Sequence, residues 1–518
     1  MLPPIGFVLA LLAATIPLVA LARRGGIPYP VVLVVGGLVL GFVPGLPPIQ
    51  LNPDLVFVIF LPPLLYWESV TAPTDAMRSN AAWIWSLAVG LVIATTVAVA
   101  LTVHALVPHM AWAIALMLGA IVAPTDETAS APTLERFHIP RRLVAIIEGE
   151  SLLNDAGSLI IYAAAVSAVV TGTFSTRGIL VHLVLAAGGA VAIGLAVGWL
   201  AVKAWRAFPE SEIQQVISLI LPFAAYVPAQ RLEWSGVLAV VTAGIYVNRY
   251  TPIVVTPLAR LQATGFWETM VFLANVVIFM LVGLQLHGIL ASLSRFSVWS
   301  LAIYALAVNV TVIVVRFLWT FGQGAVFRLL HPRRGSAQEQ WRYQVIGAWS
   351  GLRGGVSLAA ALAIPVAVAG GRPFPDRDLL IFLTFSVILV TLVGGAVTLP
   401  FVVSGLKIKE DGTDEAEERR ALKAMATAAR ARIDAIEQEG RLEKSAAAML
   451  RRHYDHELNR ALGETDTAAR LGDVEQEIVD IERATLIDLR NRGDIDNVVL
   501  RRLQLFLDMQ EVQLKRTG

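Results

Sequence analysis

Apolar residues in this chain run in long, nearly uninterrupted windows, not in the alternating or one-faced patterns of soluble strands and helices. Windows of roughly 17 to 28 residues, bounded by proline, glycine or charge, fall at 5–22, 27–43, 51–67, 81–107, 111–130, 142–171, 178–202, 213–230, 234–248, 264–290, 297–325, 342–369 and 378–403. Their length is that of a helix crossing a bilayer, so the pattern predicts an all-α polytopic membrane protein of about 13 transmembrane helices. The third window, LNPDLVFVIFLPPLLYWES, is short and reads as broken by its prolines. Two others carry a break in the middle. The fifth holds Ala123-Pro124-Thr125-Asp126, where proline removes a backbone donor and restricts its predecessor. The twelfth holds WSGLRGG, with Gly351, Gly354 and Gly355 around Arg353. These breaks lie seven spans apart, an odd offset that inverts orientation. Spans 1–6 and 8–13 are therefore expected to be inverted repeats with one interrupted helix each, the arrangement that builds ion sites in secondary transporters.

Composition sharpens this picture. The chain is 56% hydrophobic and 16% charged, with mean hydropathy +0.66, which excludes a soluble multidomain protein. Residues 1–403 carry 21 Lys+Arg against 16 Asp+Glu, and residues 404–518 carry 20 against 24, so a transmembrane domain (1–403) is followed by a charged tail (404–518). The tail shows helical-period apolar positions between charges and neither a phosphate loop nor zinc spacing; it reads as a helical bundle. With no cysteine, disulfides, thiolate metal sites and cysteine nucleophiles are excluded. The amino terminus has its positive charges after the apolar run, unlike a secretory signal, and reads as a retained first span.

Basic loop residues set the orientation. With the amino terminus outside, one side holds Arg23, Arg24, Arg78, Arg136, Arg141, Arg142, Lys203, Arg206, Arg249, Arg260, Arg328, Arg333, Arg334 and Arg342; the other holds only Arg177, Arg231, Arg295, Arg372 and Arg377. The positive-inside rule then places the carboxy-terminal tail in the cytoplasm and the protein in the cell (inner) membrane.

Charge inside a span loses hydration and marks a pathway, a relay or an ion site. In span six, Glu148, Ser151 and Asp155 share one helical face, and Glu150 and Asn154 share another. Arg142 lies about 20 Å before Asp155 at the helical rise, and Asp126 is similarly deep in span five, so both acids fall near mid-membrane. A purely structural role for Asp155 is pairing with Arg353 or Arg316. For Asp126 it is satisfying backbone N–H groups freed by the helix break. An intramembrane aspartyl protease would also use two carboxylates, but neither acid has the Tyr-Asp or Gly-x-Gly-Asp neighbours that chemistry calls for. Serine hydrolysis through Ser151 lacks a base, since no histidine lies in spans five, six or twelve. A membrane sensor would need an output domain that the tail does not display. No enzymatic activity and no cofactor are expected.

The motifs APTD (Ala123 to Asp126), EGESLLND (Glu148 to Asp155), LPPLLYWES around Glu68, FLANVVIFMLVGL (Phe272 to Leu284) and GLRGGVSLA (Gly351 to Ala359) resemble, in order, those of the monovalent cation/proton antiporters, first subfamily, which includes the sodium/proton exchangers. The resemblance covers roughly residues 1–405. It implies that Asp155 binds cation or proton in turn, that Thr125, Ser151 and Glu68 supply further oxygen ligands, and that a hard monovalent cation is held by that set. It further implies that Asp126 supports the crossing of the two broken helices and that Glu150 and Arg353 form a structural ion pair. Asn154 before the aspartate, with no lysine between Lys203 and Lys407, resembles the electroneutral branch. The expectation is one-for-one exchange of sodium (alternatively lithium or potassium) for protons, by a homodimer in membrane lipid, with no nucleic-acid partner.

Overall fold

The computed structural model describes residues 4–25, 27–42, 53–127, 130–137, 139–171, 176–293, 296–330, 337–368, 372–406, 408 and 413–461, with isolated positions between 478 and 507. Gly172, Arg295, Arg333, Arg334 and Lys407 lie outside the described residues. The chain divides into two compact units, Met1–Glu410 and Asp411–Gly518.

Every one of the thirteen apolar windows is occupied by a helix or by helices in series. Among the described residues eight helices are long and apolar enough to cross a membrane unaided. The other five windows are filled by Pro4–Gly25, Tyr29–Gly41, Pro53–Thr71 and the two interrupted spans. Several helices overrun their windows. Pro257–Ser292 has 36 residues and Val298–Leu330 has 33, about 50 Å at the helical rise. Helices this long exceed the hydrocarbon thickness and accommodate it by tilting or by projecting beyond it. Apolar windows end at the first charge, whereas backbone hydrogen bonding continues past it.

Pro53–Thr71 departs from the expected break: it is one continuous helix with Pro62 and Pro63 inside it. Leu61, Leu64, Leu65 and Tyr66 are buried against neighbouring helices, and this packing holds the helical path despite the backbone donors the prolines lack.

The two expected interruptions are present. The fifth span runs as Trp112–Val122, an irregular segment, then Ala131–Arg136; the twelfth runs as Ala337–Trp349, Ser350 to Gly354, then Gly355–Leu362. Two spans also contain π-helical turns, Ser86–Leu91 and Val390–Gly395.

Burial inside the first unit forms two main cores. One gathers Val99, Met117, Leu118, Ile121, Phe279, Val308, Val312, Leu352 and Ile388, among others. The second gathers Leu61, Leu65, Tyr66, Tyr226, Val240 and Trp267. Helix Arg141–Thr171 runs along the seam: Leu152 and Ala156 belong to the second core, and Ala165 to the first. Asp155 therefore lies on the helix the two cores share.

In the second unit, Thr413–Gln438 and Lys444–Ala461 form a helical hairpin. Gly440 turns the chain at φ +71, a left-handed conformation that favours glycine. Ala426, Ile433 and Ala447 are buried, and Arg451 pairs with Asp434 and Glu437.

Candidate functional site

The two breaks are tied to each other across the bundle. Asp126 donates its backbone N–H to the Leu352 carbonyl at 2.7 Å, and its Oδ2 accepts from the Gly355 N–H at 3.2 Å. Arg353 returns the connection, with Nε donating to the Val122 carbonyl at 3.2 Å. Thus a donor and an acceptor freed by one interruption are met by groups freed by the other, which is how irregular backbone is tolerated at membrane depth. A Cβ on Gly354 would sit 1.6 Å from Asp126 Oδ2, and one on Gly351 would sit 1.9 Å from Arg316 Nε. Both glycines are needed for these side chains to approach the backbone. The π turn of the last span joins in: Thr391 Oγ1 accepts from the Arg353 N–H at 3.2 Å and donates to Val387 O at 2.7 Å.

Helix Arg141–Thr171 lies beside this crossing. Ser151 Oγ donates to the Thr125 carbonyl at 3.0 Å, and Asn154 Nδ2 donates to Thr125 Oγ1 at 2.9 Å. The structure thereby brings Thr125, Ser151 and Asn154 into direct contact. Asp155 is 5% exposed, and among the described residues it has no ion-pair partner. Its electrostatic neighbours are the carboxyl groups of Asp126 and Glu127. Glu68, half-buried near the end of Pro53–Thr71, feels Asp126 and Asp155. The second core thus supplies Glu68 from one side, and the broken helices supply Thr125 and Asp126 from the other.

Glu150 is where the structure differs from expectation. Its carboxylate is gripped bidentately by Arg316, Nη1 to Oε1 at 2.6 Å and Nη2 to Oε2 at 3.1 Å, with no hydrogen bond to Arg353. Arg316 also donates Nε to Ala348 O at 2.9 Å and Nη2 to Gly347 O at 2.8 Å, the end of the helix before the second break. Arg353 is instead committed to backbone, Nη1 to Gly351 O and Nε to Val122 O, and its Nη2 is buried without a hydrogen-bond partner. The cause is geometric: Arg316 meets both oxygens of the buried Glu150 carboxylate from span eleven, whereas Arg353 sits inside the break and donates to the Val122 and Gly351 carbonyls. The Arg316 pairing also means that neither arginine neutralises Asp155.

Two roles escaped the sequence reading. Arg316, a lone arginine inside an apolar window, enters that reading only as a partner for Asp155, not for Glu150. Glu127 directly follows Asp126 and interacts with Glu68, Glu148 and Asp126; its position in the break, next to an acid already assigned, concealed it.

A buried carboxylate left unpaired beside two crossed, interrupted helices, in a bundle of membrane-spanning helices, defines a secondary transporter of cations. The chain belongs to the sodium/hydrogen exchanger family, whose transmembrane domain matches residues 8–405. It is 33% identical to an uncharacterised Na+/H+ exchanger of Mycobacterium tuberculosis over 98% of this chain and 95% of that protein. It is 32% identical to a sodium, potassium, lithium and rubidium/H+ antiporter of Bacillus pumilus over 75% of this chain and 59% of that one. In fold it is similar to the sodium proton antiporter MjNhaP1 of Methanocaldococcus jannaschii, with a TM-score of 0.61 at 20% identity, covering 78% of this chain and 98% of that structure. The protein is a multi-pass membrane transporter.

Proposed function

We propose that this chain exchanges sodium for protons one for one, with Asp155 holding either ion in turn. The observation that carries the reading is Asp155 itself: buried, without a cationic partner among the described residues, one helical turn from Ser151 and in electrostatic contact with Asp126 of the helix crossing. A proton and a cation each neutralise the same carboxylate, so each excludes the other. Thr125, Ser151 and Glu68 complete an oxygen set of the kind alkali cations take in place of water. One charge moves in each direction. Asn154 adds no titrating group, and no lysine between Lys203 and Lys407 adds a second charge. Asp126 serves the crossing through Gly355 and Leu352.

Alternating access follows from the two cores. Glu68 belongs to the helix packed into the second, and Thr125 to the break beside the first, so relative motion of the two opens the site to one side at a time. The family resemblance also implies a homodimer in the inner membrane, with the tail cytoplasmic and a role in pH homeostasis. The test is proteoliposome exchange followed by an internal pH dye. Sodium should drive proton efflux in the wild type, and Asp155→Asn should abolish it while still inserting and dimerising, because an amide neither titrates nor offers a charge. Sodium-driven proton movement in Asp155→Asn sinks the assignment. Lithium and potassium gradients run in parallel settle selectivity, the potassium arm being motivated by the broad cation range in the Bacillus pumilus relative's name.

A further inference from the structure

The segment joining span three to span four is pinned at both ends by asparagine side chains. Helix Pro53–Thr71, which carries Glu68, places Leu61, Leu65 and Tyr66 in the second core, and span four places Val99, Ala100 and Val103 in the first. Between these two helices lie only Ala72, Pro73, the short helix Thr74–Ser79 and Asn80. At one end Asn248, on helix Gly236–Val254, donates Nδ2 to the Ala72 carbonyl at 2.9 Å and to the Ser69 carbonyl at 3.4 Å. The two helices are close there: a Cβ on Gly244 would lie 2.4 Å from Ser69 Cβ. At the other end Asn80 Oδ1 accepts from Arg142 Nε at 2.9 Å, while its Nδ2 donates to the Ala76 carbonyl at 2.8 Å. An arginine only donates and a carbonyl only accepts, so both ends of the Asn80 amide are assigned. Arg142 stands in the first turn of Arg141–Thr171, the helix that carries Asp155. Between the pins, Met77 is 9% exposed and packs on that same helix, where a Cβ on Gly149 would lie 3.1 Å from Met77 Cε.

We infer that residues 72–80 form a latch between the two cores, made in one access state and released in the other, with Asn248, Asn80 and Arg142 as its positioning residues. The short helix is about 9 Å long at the helical rise, and Pro73 before it has a fixed φ and no N–H to give. With both pins made, the end of the Glu68 helix and the start of the Asp155 helix keep one spacing. Motion of one core against the other changes that spacing, so a pin must give way. The latch lies beside Arg78, Arg141 and Arg142, on the side assigned to the cytoplasm. None of its residues touches the transported ion. The inference rests on the reading of Asp155 as the transport site.

A latch leaves a signature that a merely structural hydrogen bond does not. Apparent affinity at each face scales with the fraction of transporters open to that face, so losing a contact made in one state strengthens binding at one face and weakens it at the other. The full-length protein is reconstituted in vesicles of defined orientation, and half-saturating sodium is measured from each face, with thermal unfolding alongside. Arg142→Gln changes an exposed side chain, which puts folding at little risk. It should shift half-saturating sodium about fivefold in opposite directions at the two faces, the scale of one net hydrogen bond. Asn80→Leu and Asn248→Leu should shift it in the same sense as Arg142→Gln. Because the pins act in series, Asn248→Leu combined with Arg142→Gln should shift it no further than the larger single change. Arg142→Lys, which keeps a donor for Asn80, should stay within about twofold of wild type. Unshifted half-saturation in Arg142→Gln, a shift of the same sign at both faces, or additive shifts in the double variant overturns the latch alone, with Asp155→Asn still inactive. Sodium-driven exchange in Asp155→Asn overturns the transport site and the latch with it.

Discussion

Glu150 and Arg316, 166 positions apart in sequence, close a bidentate ion pair with side chains only 3% exposed. This pair commits Arg316 to Glu150, and among the described residues Asp155 has no ion-pair partner. It also sets the energetic order of the two buried arginines. Removing one partner of a buried pair leaves an uncompensated charge, at a cost of about 3–5 kcal/mol.

Glu150→Gln and Arg316→Gln should therefore each lower the melting temperature of the purified protein strongly, and the double variant should recover much of that loss. The same cycle run with Glu150 and Arg353 should show weaker coupling, because Arg353 donates to Val122 and Gly351 carbonyls instead. Equal coupling in both cycles would contradict the pairing.

Gly354→Ala should be more damaging than its chemistry suggests. The added Cβ would lie 1.6 Å from Asp126 Oδ2, and the contact cannot be relieved without breaking the Asp126–Gly355 hydrogen bond. We expect loss of folded protein or of turnover. Asp126→Asn, which keeps a carbonyl acceptor for Gly355, should be milder in stability, measured by thermal unfolding alongside exchange rate.

Exchange should be indifferent to an imposed membrane potential. In the proposed mechanism Asp155 carries a proton one way and a cation the other, and Asn154 adds no charge to either loaded state. Potassium/valinomycin potentials across proteoliposomes test this; a rate that follows the potential would remove the one-for-one stoichiometry even with Asp155 retained as the site.

Topology is tested by reporters. A fusion after Gly518 should report a cytoplasmic location and one at Gly172 an external location, since fourteen basic loop residues fall on one side and five on the other. An external tail would invert the assigned access sides.

The tail hairpin should not respond to pH in the neutral range through its ion pairs. Hydrogen bonds from Arg441 and then Arg432 hold the Glu439 carboxyl below its usual value of 4.5. Its folded-state value being depressed, any stabilisation is present above 4.5 and is lost only as pH falls through the lowered value. Glu439 is also exposed, so the effect is small. The carboxyl chemical shift of Glu439 should be the same at pH 7 and pH 5.5.

The sequence by itself determined the spans, the two interruptions and the charged residues inside the membrane. Each is a local property: twenty apolar residues can only span as a helix, Pro124 and the Gly351–Gly355 cluster interrupt locally, and a mid-span carboxylate is costly wherever it stands. The grouping of Thr125 with Ser151 came from the family resemblance of their motifs, and their hydrogen bond from the structure. The tertiary structure decided which arginine takes Glu150, that Pro62 and Pro63 are carried inside an unbroken helix, and that Asp126 binds Gly355 and Leu352 across the crossing. The physical reason lies in the solvent. A helix in a membrane is apolar on the faces that meet lipid and on those that meet protein, so periodicity does not reveal which side packs. Contacts between spans separated by more than a hundred residues depend on helix rotation, register and tilt, which are set by close packing of all the spans together. Arg316 and Arg353 look alike along the chain; only the packing of span eleven against span six, and the carbonyls opened in span twelve, tell them apart.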